Sequence, residues 1–148
     1  MKTYLWLDDI RDPNMSVWRD QYIPEYDSKV DEIVWVKEFP EFVNYIREFG
    51  LPDEIFFDHD LGDDELGTGH DAAKWLVNYC MDNGDIDVPK WSIQSANPVG
   101  RQNINSILIC KTGPWSNSSV VVHWNSHTHI GLNQLAAKSK DNNVFCGI

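Results

Sequence analysis

The sequence predicts an α/β fold built on a central, mainly parallel sheet. Short β-rich apolar runs alternate with helix-spaced segments along most of its 148 residues. Polar site-type residues (Asp8, Asp9, Asp58 and Ser95) stand at the C-terminal ends of those runs, where open α/β sheets place their ligands.

The elements follow in order. KTYLWL (2–7) is apolar and rich in β-formers, and it stops at Asp8-Asp9. Residues 10–29 lack a sustained helical period and are interrupted by Pro13 and Pro24, so at most one short helix fits, around 16–22. EIVWVK (32–37) reads as a second buried strand. Phe39, Phe42, Val43, Ile46 and Phe49 then recur at helical spacing, with Pro40 at the start and Gly50 at the stop. EIFFD (54–58) is a third strand, DAAKWLVNYCMDNG (71–84) a helix ending at Asn83-Gly84, and VPKWSIQS (88–95) a fourth strand. Asn97-Pro98 opens another helix, because Asn caps well and Pro suits the first helical position. SVVVHW (119–124) is expected as a fifth strand and IGLNQLAAKSK (130–140) as a last helix.

The totals bound the function. A chain of this length is expected to form one domain with a real core, and 12% aromatic content with seven tryptophans fits a folded globule. No apolar run approaches the roughly 20 residues that span a bilayer, and MKTYLWLDD lacks a signal-peptide pattern, so a cytoplasmic protein with no membrane partner is expected. Cys80, Cys110 and Cys146 show no CxxC spacing, which favours reduced structural thiols. A net charge of −11 argues against duplex DNA, whose phosphates would be repelled. A small phosphorylated ligand or an RNA end at one metal-bridged pocket escapes that objection. Of the 23 acids only Asp141 falls after residue 110, alongside three of the 12 bases. Residues 1–110 are therefore expected to form the domain core, and 111–148 a C-terminal extension that could supply the last strand and helix of the same domain.

An acidic pair after the first strand, an Asp after the third and Ser95-Ala96 after the fourth resemble response-regulator receiver domains. The motifs LWLDDIRDP, FFDHDLG, DAAKWL and SANPVGRQNI resemble more closely a receiver-like family proposed to process cyclic phosphates. The resemblance covers about residues 3–110. It implies a flavodoxin-like three-layer fold with five strands, Mg²⁺ (or Mn²⁺) beside Asp58, and chemistry on a cyclic phosphate. Two positions depart from the pattern. Gln94 stands where a His often precedes the serine, and the strand VVVHW offers His123 where ordinary receivers carry a Lys. The second departure disfavours a phosphorylation switch.

Mg²⁺ wants oxygen ligands, and one or two carboxylates plus a substrate phosphate suffice to hold it. Asp9 and Asp58, supported by Asp8 and Asp60, are the expected metal set; the plain alternative is that Asp8, Asp9 and Asp60 only cap turns. Asp58 and His59 are the catalytic candidates, His59 as a proton donor to a leaving 2′ or 3′ oxygen. Strand alternation would put Asp58 and Asp60 on one face and His59 on the other, unless the chain has already turned. Ser95, Asn97, Gly100 and Arg101 form the expected phosphate-binding set at a helix N-terminus; its alternative is an ordinary capped helix with a surface Arg. Gly62, Gly67 and Gly69 suggest a flexible acidic loop, and His123, His127 and His129 read as solvent-exposed rather than as a metal cluster. Two functions compete. One is a metal-assisted phosphoesterase opening a 2′,3′-cyclic RNA end or a cyclic nucleotide. The other is a receiver-derived module without catalysis, binding a nucleotide signal or using its acidic face to inhibit a basic protein partner.

Overall fold

The computed structural model describes residues 1–112. The expected strand at 119–124, the helix at 130–140, Trp115, Trp124 and the three histidines of the tail lie outside the described residues. Four strands, β1 (Thr3–Leu7), β2 (Glu32–Val36), β3 (Glu54–Phe57) and β4 (Lys90–Ile93), form a parallel sheet in the order β2-β1-β3-β4. Helices α1 (Ser16–Tyr22), α2 (Phe39–Phe49), α3 (Gly69–Asp82) and α4 (Pro98–Thr112) connect and cover them, with a short 3₁₀ turn at Asp64–Leu66. The helices cover both faces of the sheet, the doubly wound α/β arrangement that the alternating elements predict.

Strand alternation sorts the core into two faces. Leu5, Leu7, Ile55, Phe57, Trp91 and Ile93 pack with Phe42, Val43 and Ile46 of α2, Ala72, Ala73 and Leu76 of α3, and Ile104 and Leu108 of α4. Tyr4, Trp6 and Phe56 turn to the other face, where Ile23 and the partly buried Trp18, Tyr22 and Tyr26 meet them. The rings of Trp6 and Phe56 stack at 5.0 Å there, and Tyr22 meets Trp6 edge-on at 5.7 Å. Each such fully buried side chain stabilises the fold by roughly 1.5–3 kcal/mol before its ordering cost.

Two helix starts differ from or refine the sequence expectation. α3 begins two residues before the predicted start, because Thr68 and Asp71 form a reciprocal capping box that satisfies both ends of the first turn. In α4, Asn97 Oδ1 accepts the Gly100 N–H at 2.9 Å, the capping role its position predicts. Cys80 is a free thiol buried in α3, as expected, whereas Cys110 is disulfide-bonded, against the expectation of a reduced thiol.

Strand register shapes the C-terminal edge of the sheet. Leu7 pairs with both Val36 and Phe57, and Phe57 with Ile93, so the four strands end level. The next residue of three of them continues the ladder: Asp8 N–H donates to Val36, Asp58 N–H to Leu7 and Gln94 N–H to Phe57. Asp8, Asp58 and Gln94 thus emerge side by side at the C-terminal edge.

Candidate metal and phosphate site

At that edge the carboxylates of Asp8, Asp9 and Asp58 each offer an oxygen within 4.8 Å of the other two. Asp8 is fully buried and Asp58 nearly so. Like charges this close repel, and the structure answers with Arg11. Its Nη1 donates to Asp8 Oδ2 at 2.8 Å and to Asp58 Oδ2 at 3.2 Å, and its guanidinium carbon lies 5.8 Å from the Trp18 ring centre. Burial alone would lower the Arg11 pKa, but its hydrogen bond to Asp8 and the charges of Asp8 and Asp58 prevail and raise it. Sequence reasoning missed this residue. The available signal was chemical: three acids expected at one edge need a cation, and Arg11 is the nearest base in the chain.

The three acids are unequal. Asp8 is saturated: Oδ1 accepts the Ile10 and Arg11 backbone N–H groups, and Oδ2 accepts Arg11 and the Gln94 Nε2 at 3.0 Å. Asp58 Oδ1 accepts the His59 N–H, and Ser95 also hydrogen-bonds its carboxylate. Burial pushes the Asp58 pKa up, Ser95 opposes that, and the Asp8 charge adds to the rise. Asp9 Oδ1 is buried with no hydrogen-bond partner among the described residues. An orphaned buried carboxylate oxygen is costly unless something binds it, so this donor set fits a hard divalent cation held by Asp9 and Asp58. Asp8 serves such a site by holding Arg11.

Asp60 stands apart from this group. β3 ends at Phe57, so the chain has turned before alternation can carry Asp60 to the Asp58 face. Its exposed carboxylate instead meets His59 Nδ1 at 2.8 Å and Asn97 Nδ2 at 3.1 Å. The hydrogen bond from His59, followed by that from Asn97, lowers the Asp60 pKa. The 58–60 corner is wedged against two helix starts. Gly69 N–H donates to His59 O at 2.9 Å, and a Cβ on Gly69 would fall 1.8 Å from the Asp58 carbonyl oxygen. Gly69 is therefore demanded by close packing, a tighter role than loop flexibility.

The expected phosphate set is largely engaged within the protein. Ser95 is buried and accepts the Asn97 N–H besides bonding Asp58. Asn97 caps α4 and holds Asp60. Gly100 gives its N–H to Asn97, and a Cβ there would lie 2.2 Å from His59 Cγ, so the missing side chain makes room for the imidazole. Arg101 is half-buried and makes no side-chain hydrogen bond or ion pair among the described residues, leaving its guanidinium available to an anion. Gln94 is buried, its Oε1 unpartnered among the described residues while its Nε2 supports Asp8.

The family model of the cyclic-phosphate processing receiver domain matches residues 3–110. The chain belongs to this family. Among solved structures, the fold is similar to the phosphorylated cyanobacterial phytochrome response regulator RcpA, with a TM-score of 0.52 and 15% identity over 72% of this chain and 74% of that one. A LuxR-family two-component response regulator from Aurantimonas sp. SI85-9A1 gives 0.51 and 14% over 72% and 69%. The Mn²⁺-bound form of the response regulator Rcp1 gives 0.50 and 15% over 72% and 76%. At such identities the likeness establishes the receiver fold of this cyclic-phosphate processing receiver domain. No curated protein matches the chain. Among the described residues no helix is long and apolar enough to cross a membrane.

Proposed function

We propose that this receiver-like domain is a metal-assisted phosphoesterase that opens a cyclic phosphate, either a 2′,3′-cyclic RNA end or a cyclic nucleotide. The observation that carries the reading is the three-carboxylate group with the orphaned Asp9 oxygen, at the C-terminal edge of the sheet, where open α/β folds bind their ligands. Mg²⁺ or Mn²⁺ held by Asp9 and Asp58 would supply charge neutralisation at the phosphate and a water of lowered pKa.

The chain's own residues divide the remaining work. Arg101 binds a non-bridging phosphate oxygen, where a guanidinium can stabilise developing negative charge. His59 delivers a proton to the leaving 2′ or 3′ oxygen. Ser95 orients Asp58 through its hydroxyl, and Arg11 offsets the repulsion between Asp8 and Asp58. Asp58 as a direct nucleophile would follow the receiver analogy, which is one of fold.

A second reading has its own support. Arg11 already supplies a cation to Asp8 and Asp58, and Gln94 occupies the position where the family often has a His. Both fit a module that binds a cyclic nucleotide without turnover. Phosphorus NMR of 2′,3′-cyclic AMP and of a cyclic-phosphate-ended oligonucleotide with the full chain and Mg²⁺ separates the two. A new monoester signal, lost with Asp58→Asn, supports the enzyme. Broadened but unshifted ligand lines support the binder, and sharp unchanged lines would refute both.

A further inference from the structure

We propose that Asp60 is a positioning residue, locked by Asn97, that fixes the tautomer of His59 so that Nδ1 carries the proton and Nε2 is left for proton exchange. The contacts around the ring support this. His59 Nδ1 lies 2.8 Å from Asp60 Oδ1. An ionised carboxylate can only accept, so in this pair the imidazole nitrogen must be the donor. Asn97 Nδ2 donates to the same Asp60 oxygen at 3.1 Å; its 3.5 Å approach to His59 Nδ1 then sets two donors side by side on one carboxylate oxygen and is not itself a hydrogen bond. Asn97 cannot flip its amide to compete, because its Oδ1 is committed to the Gly100 N–H. The ring itself is held from behind, its Cγ and Cδ2 resting where Gly100 has no side chain, and its backbone carbonyl is tied to the Gly69 N–H.

The result is a chain of fixed groups running from the start of α4 through Asn97 and Asp60 to His59. A free neutral histidine favours the opposite tautomer, with the proton on Nε2, so the environment reverses the default. This geometry also gives Asp60 a role separate from the metal set. In a proton transfer His59 would accept or release its exchangeable proton at Nε2 while Nδ1–H stays on Asp60, and the carboxylate would stabilise the imidazolium without itself being protonated. The catalytic consequence rests on the phosphoesterase reading, whereas the tautomer does not.

The test separates the two. Multiple-bond ¹⁵N–¹H spectra of the full chain, labelled at histidine and recorded along a pH series to the point where the ring signals stop changing, report which ring nitrogen is protonated; His59→Gln assigns the resonance. Wild type is expected to show Nδ1–H with a bare Nε2. Asp60→Ala should move the population toward Nε2–H, and Asn97→Ser, which keeps a helix cap but loses the amide, should move it part of the way. With 2′,3′-cyclic AMP as substrate, Asp60→Ala should lower kcat roughly ten- to hundredfold with KM unchanged. It should add nothing to the loss caused by His59→Gln. An Nε2–H wild type, or a tautomer indifferent to Asp60→Ala, would overturn the proposal. The Nδ1–H tautomer without any turnover would uphold the role of Asp60 and refute the phosphoesterase reading.

Discussion

Both edges of this sheet carry aspartates, and the two sets behave in opposite ways. At the N-terminal edge Asp31 Oδ1 accepts the Lys2 N–H at 3.0 Å and Asp53 Oδ2 accepts the Thr3 N–H at 2.7 Å. These acids meet backbone donors near water, and the Lys2 and then the Asp27 N–H bonds lower the Asp31 pKa. At the C-terminal edge Asp58 is buried beside Asp8, and its pKa rises. One residue type thus satisfies backbone donors where strands begin and holds an uncomfortable charge where they end. What distinguishes them is the balance between desolvation and donors, and strain of the second kind marks candidate sites.

Substitutions at the two edges should separate them, the largest effects coming from the C-terminal one. Asp58→Asn should reduce cyclic-phosphate turnover on the order of a hundredfold or more, while Asp53→Asn leaves it within error; steady-state phosphorus NMR checks both. Arg11→Ala leaves Asp8 and Asp58 buried without their cation and should cost about 3 kcal/mol in urea unfolding. Millimolar Mg²⁺ should recover part of that loss, and failure to do so would mean that the cation site is not shared. Gly100→Ala should cost about 1–3 kcal/mol through its clash with the His59 ring, and it should shift the His59 ring signals more than those of His70.

The smallest effect is pH dependence, of opposite sign at the two edges. The folded Asp58 pKa lies above its ordinary 3.8, so between those values the folded chain holds a proton that the unfolded chain has released. Its contribution to stability therefore falls as pH rises through that window. Asp31 is depressed, so its contribution is present above the ordinary value and is lost as pH falls through the lower folded one. Denaturant midpoints from pH 3 to 7 should flatten above 3.8 in Asp58→Asn and below it in Asp31→Asn. Exchanged effects would invert the comparison.

The strands and helices were legible because periodicity reports burial. The helix at 16–22 and the start of α4 came from proline and cap chemistry, which acts locally. The acid cluster was legible once the strands were parallel and ended level. The partners of those acids were not. Arg11 lies in an irregular segment with no period, and only the folded chain brings its guanidinium to both Asp8 and Asp58. Asp60 was grouped with the metal set, and strand alternation would have kept it on the Asp58 face, yet the turn after Phe57 sends it to His59 and Asn97. Gly100 was grouped with the phosphate-binding set; the space its missing side chain leaves is taken by the His59 ring.

The most direct test of the division between edges is a Mn²⁺ titration of the ¹⁵N-labelled chain, followed by paramagnetic broadening of backbone amides. The five residues of β1 separate the edges by roughly 16 Å. Substoichiometric Mn²⁺ should broaden the amides of Asp9, Asp58 and His59 first, and those of Asp31 and Asp53 should stay sharp. Equal broadening at both edges, or loss of signal beginning at Asp31 and Asp53, would contradict the account.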